Sequence, residues 1–94
     1  MELETERQKA WDGDAVLGLY AREWILRAKG KMDGQLFARM TSNDFLATIG
    51  NPTGVEAKIG VIYEDEGLEK AFEWIERELI PRFEAQEKKW VRKR

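Results

Sequence analysis

Of the 18 acidic residues in this 94-residue chain, Asp14 and Glu56 stand apart because each lies within an otherwise apolar helical pattern. The chain has neither cysteine nor histidine. Thiolate nucleophiles, imidazole bases and soft metal sites are thereby excluded, and a bound metal must be held by oxygen, which favours a hard cation such as Mg²⁺. Asp14 opens the segment DAVLGLYA and falls on a stripe with Leu17, Ala21 and Trp24, at i, i+3, i+7 and i+10. That placement directs its carboxylate toward the interior or a cleft. Glu56 belongs to VEAKIGVIY, where Val55, Ile59 and Ile62 share one face, with Glu56, Gly60 and Tyr63 beside them. A glycine inside a helix costs roughly 1 kcal/mol against alanine, so Gly13 and Gly60 mark places where two backbones approach closely. If the two helices cross there, Asp14 and Glu56 meet as a pair of oxygen ligands from different helices.

Each carboxylate also has a structural reading. An aspartate early in a helix complements the helix dipole and can simply be exposed. Thr53-Gly-Val-Glu56 fits a capping box, in which the glutamate bonds back to the cap residue. Asp12 stands near Asp14 but on another helical face.

The elements that must position these residues are all helical. A first helix is expected from about Glu6 to Ala28, apolar on nearly every side between Ala15 and Ala21 and therefore central and covered all round. KGKMDG ends it. QLFARMTSNDFLATIG reads as a second helix carrying Leu36, Phe37, Met40, Leu46 and Ile49, with a fresh start at Phe45 as an option, and Gly50, Asn51 and Pro52 stop it. A third begins at Thr53 and runs to about Tyr63. The last, from Leu68, carries Leu68, Phe72, Ile75 and Leu79 on one face, and Pro81 ends or kinks it. The expected fold is all-α, with four main helices and one domain.

With 43% apolar and 36% charged residues the chain reads as globular. Its net charge of −2 is unevenly spread, because KKWVRKR at the end holds five of the 16 basic residues. MELETER lacks the apolar core of a secretory signal, and no apolar run approaches the roughly 18 residues of a membrane span. A cytoplasmic protein is expected.

AWDGDAVLGLYAREWI resembles the signature helix of the ribonuclease III family, and VEAKIGVIYEDEGLEKAFEWIERELIP resembles that family's second motif with the helix after it. TSNDFLATI looks like the intermediate helix. The resemblance covers roughly residues 8 to 83, in order. It implies a minimal ribonuclease III-like endonuclease domain over residues 1–87, followed by a basic tail over 88–94, working as a homodimer on double-stranded RNA. Asp14 falls on the family's metal-binding aspartate and Glu56 on its metal-binding glutamate, with Mg²⁺ as cofactor and Mn²⁺ as a substitute. Trp11 falls on the aromatic knob that enters a socket on the partner subunit. The positions of two further family carboxylates hold Ala10 and Thr53, as in the short Mini-III branch, which also lacks a double-stranded RNA-binding domain. A helix before the second motif is missing here, and with it part of the wall that lines the RNA groove.

Lys29, Lys31, Arg39, Lys88, Lys89 and Arg92 are the basic residues that could contact RNA phosphates. Trp24 and Trp74, on helical stripes, are expected in the core, whereas Trp90 could lie on RNA or on a partner helix. The alternative from another class is a catalytically inactive ribonuclease III-like dimer that binds structured RNA as a scaffold.

Overall fold

A computed structural model describes the backbone of residues 2–93 and the side chains of residues 2–89. The described chain is all-α, with six helical segments and no strand. Helix α1 (Leu3–Lys29) is followed by α2 (Gly34–Met40), the single turn α3 (Asn43–Leu46), α4 (Pro52–Glu66), α5 (Leu68–Glu78) and α6 (Ile80–Lys93). No helix among the described residues is long and apolar enough to cross a membrane.

The helix ends follow local chemistry. Glu4 and Glu6 in the first turn of α1, and Arg27 and Lys29 in its last, complement the helix dipole. The expected second helix is two, because Ser42 accepts a hydrogen bond from the Phe45 amide at 3.0 Å and starts α3 afresh. Helix α4 starts at Pro52, with Asn51 as its cap accepting from the Gly54 amide at 3.1 Å. This corrects the reading of Thr53 as a cap: a proline in the first helical position needs no hydrogen bond, so the helix begins one residue earlier. Helix α5 ends at Glu78 because Pro81 has no N–H to give to the carbonyl one turn back, and α6 resumes at once at Ile80. Residues 88–93 therefore continue α6, with no break at the expected boundary between domain and tail.

The core forms where α1, α4 and α5 meet, around Leu17, Ala21, Ile59, Ala71 and Ile75, all essentially inaccessible to solvent. Phe83 of α6 plugs one end, edge-on to both Phe45 (5.2 Å between ring centres) and Trp24 (6.1 Å). Trp24 and Trp74 both pack against this core, as expected. Helix α1 is not covered all round. Val16, Leu17, Tyr20 and Ala21 are buried, but Ala15 and Leu19 face outward on the side away from α4.

Candidate functional site

Helices α1 and α4 run antiparallel and touch backbone to backbone. A methyl group added at Gly13 would fall 1.7 Å from the Glu56 carbonyl oxygen, and one added at Gly60 would fall 2.0 Å from the Lys9 carbonyl oxygen. Real carbon–oxygen contacts at such distances do not occur. The crossing therefore requires both glycines, and it locks the register of the two helices to within a fraction of a turn.

That register sets the carboxyl groups of Asp14 and Glu56 within hydrogen-bonding reach of each other. Glu56 is half-buried, and three effects raise its pKa to about 7: burial first, then the hydrogen bond shared with Asp14, then the Asp14 charge. Asp14 itself is exposed, so of the two directions expected for its carboxylate, interior or cleft, the interior is overturned. Gly13 is the residue that faces α4. Asp14, about 100° further round a helix of 3.6 residues per turn, lies on the flank of the contact. Glu56 makes no capping box, since Asn51 holds the cap.

Ala10 is buried and Thr53 half-buried, and neither adds a carboxylate. Among the described residues no cluster of three or more acidic, histidine or cysteine side chains is placed to hold a metal ion. Asp12 is exposed and lines a shallow recess beside Trp11, with Glu4 and Arg7, away from Glu56. At the far end of the crossing, Lys9 and Glu64 form an ion pair between α1 and α4. Sequence reasoning missed this pair, although Lys9 stands four residues before Gly13 and Glu64 four after Gly60, a symmetry that an antiparallel crossing converts into contact.

Trp11 is 81% exposed, more than any other aromatic side chain in the described structure. It shares the outer face of α1 with Ala15, Leu19 and Leu26, at helical spacings of about one turn or its multiples. Beyond Leu26 that face runs into an apolar groove between α1 and α2, where Ile25, Leu26, Met32 and Phe37 line the walls and Arg22 lies over the Phe37 ring at 4.3 Å.

The basic candidates separate. Lys31, Lys88 and Lys89 are exposed. Lys29 faces Asp33 at 3.4 Å, a loose pair one turn apart. The Arg39 guanidinium donates two hydrogen bonds of 2.9 Å to Glu87 and ties α2 to α6. Arg92 and Trp90 have side chains outside the described residues. Compared with known proteins, the chain matches no family model, no curated protein and no solved structure.

Proposed function

We propose that this chain is a minimal endoribonuclease that works as a homodimer on double-stranded RNA, with Asp14 and Glu56 as the ligands of Mg²⁺, for which Mn²⁺ substitutes. The observation that carries this is the meeting of the two carboxyl groups across the Gly13–Gly60 crossing. Two carboxylates on separate, backbone-locked helices make a rigid pair, and Glu56 is held above the ordinary carboxylate range by its burial first, then by the hydrogen bond and the charge of Asp14 beside it. Such a pair suits a hard divalent cation, which neutralises both charges where a proton neutralises only one. Asp14 and Glu56 would hold the cation, which would supply Lewis-acid polarisation of the scissile phosphate, activation of a water and charge stabilisation at the leaving oxygen.

Glu56, half-buried and backed by α4, anchors the site, while Asp14 presents its carboxylate on the open surface that an RNA strand can reach. RNA is read by its A-form shape, phosphates and 2′-hydroxyls rather than by base sequence. Trp11 is the dimer knob, and the groove of Leu26, Met32 and Phe37 on the same side of α1 receives it from a second copy. The separation of Trp11 and Leu26 along the helix is about 22 Å, so a two-fold axis between them lets each copy fill the other's groove.

The test is cleavage of long double-stranded RNA. Wild-type protein cuts only with Mg²⁺ or Mn²⁺, and Asp14→Asn and Glu56→Gln each abolish cutting while leaving fold and dimer intact. One observation favours the second reading, a catalytically inactive RNA-binding scaffold: no third acidic group joins the pair among the described residues. In that case a well-folded wild-type dimer binds duplex RNA and leaves it whole at every metal concentration, and the nuclease proposal fails.

A further inference from the structure

We infer that Arg22 is the platform on which a second copy's Trp11 is seated, its guanidinium stacked between the Phe37 ring on one side and the incoming indole on the other. This rests on the homodimer reading above and names the residue that recognises the knob. Arg22 is exposed, yet its head is fixed at two points. Its Cζ lies 4.3 Å from the centre of the Phe37 ring, and its Nη1 donates to the Gly18 carbonyl oxygen at 3.1 Å. Gly18 makes room for this, because a methyl group there would stand 3.0 Å from the same Nη1, tighter than ordinary van der Waals contact. A buried glycine in the middle of α1 therefore serves to seat an arginine rather than to admit another backbone.

A guanidinium held over one aromatic ring has a second planar face to offer to another, and arginine stacks in this way where lysine does not. Arg22 and Phe37 border, with Leu26 and Met32, a recess of about 300 Å³, roomy enough for an indole. The occupant is argued from α1 itself. Trp11 and Arg22 stand three turns apart and within about 20° of the same direction, with Ala15 and Leu19 between them on that exposed face. Two copies of α1 packed antiparallel about a two-fold axis near the middle of this stretch set each Trp11 against the other copy's Arg22. Trp11, left 81% exposed by its own chain, is the electron-rich ring best suited to a cation.

The experiment measures the dimer dissociation constant of the full chain by sedimentation for wild type, Trp11→Ala, Arg22→Ala and Arg22→Lys. It then titrates Trp11→Ala, dye-labelled at its amino terminus, with unlabelled Arg22→Ala; if Arg22→Ala melts early, Arg22→Gln replaces it. The expected result is that Arg22→Ala raises the dissociation constant about tenfold, since the stack occurs twice per dimer, and that Arg22→Lys recovers little of this. In the mixed dimer one contact is intact and the other lacks both members. It is therefore about threefold tighter than the geometric mean of the two variant homodimers, once the statistics of unlike subunits are allowed for. A mixed dimer at that mean shows that Trp11 and Arg22 act independently, and overturns the pairing while leaving the dimer standing. Arg22→Ala or Arg22→Lys that dimerises as wild type does overturns the stack in the same way. Wild type that stays monomeric at micromolar concentration removes the homodimer reading, and the platform with it.

Discussion

Gly13 lies so close to Glu56 that the hydrogen it carries in place of a side chain is all the crossing admits: a methyl group there would meet the Glu56 carbonyl oxygen at 1.7 Å, and the Gly60 amide nitrogen at 2.9 Å. The clash is with backbone on both counts, so no rotamer change relieves it, and one helix must move. Moving either helix separates Asp14 from Glu56, because the same contact that excludes a side chain sets the two carboxyl groups side by side.

Gly13→Ala therefore lowers stability, against the direction of helix propensity. In an exposed helix interior the change would stabilise by about 1 kcal/mol. Overpacking against backbone costs about 1 to 3 kcal/mol or more, and here it wins. Thermal or urea unfolding of Gly13→Ala and Gly60→Ala checks this. A melting temperature at or above that of wild type would show that the helices do not touch at these glycines.

The pH dependence of stability follows from Glu56. Its carboxyl titrates at about 7 in the folded chain against an ordinary value of 4.5, so between those values the folded state holds a proton that the unfolded state has released. Stability is then greatest below the unfolded value and falls as pH rises through 7. Asp33 works in the opposite sense at lower pH. The hydrogen bond from the Leu36 amide holds its carboxyl below 3.8, and that contribution is present above 3.8 and disappears in acid. In chelator, urea unfolding should show lower stability at pH 8 than at pH 6. Glu56→Gln should flatten this difference, and Mg²⁺ should reduce it in wild type by occupying the carboxylate pair.

The crossing was legible in the sequence because a glycine in a strong helical pattern is costly enough to need a reason, and two of them, one on each helix, gave the same reason. The direction of Asp14 was not legible. A stripe at i, i+3, i+7 and i+10 is broad enough to include its own edge, and only the position of Gly13 at the centre of the contact shows that Asp14 lies on the flank. Reading Thr53 as the cap of α4 overlooks that Pro52 takes the first helical position, which makes Asn51 the cap. Arg39 could not have been assigned from sequence. Its partner Glu87 is 48 residues away, and only the packing of α6 across the end of the core brings the two together.

Trp11→Ala should separate stability from assembly. The side chain is 81% exposed in the isolated chain, so removing it should change monomer stability by no more than about 0.5 kcal/mol. If it is the anchor of a homodimer, the dissociation constant should rise about 30-fold or more, the effect of a central aromatic worth about 2 kcal/mol. Leu26→Asp, in the groove proposed to receive it, should weaken the dimer similarly. Sedimentation equilibrium measures both, and wild type that is monomeric at micromolar concentration would remove the knob and the groove together.

The basic residues give the last prediction, because the structure divides them into those committed within the chain and those open to solvent. Lys88 and Lys89 are exposed on the last described turns of α6, where replacing both with glutamine should lower the salt dependence of duplex RNA binding by roughly 0.7 to 0.9 log units for each phosphate no longer neutralised. Arg39→Gln should act differently. Its guanidinium is spent on Glu87, with 27% and 20% of the two side chains exposed, so the variant leaves a partly buried carboxylate without its bidentate partner. The cost should lie between that of an exposed and a buried ion pair, on the order of 1 to 3 kcal/mol of stability, with the salt slope unchanged. Titrating RNA binding at several salt concentrations, alongside urea unfolding, tells the two classes apart. A slope that falls in Arg39→Gln while stability holds would return Arg39 to the RNA surface and would mean that the contact with Glu87 opens when RNA binds.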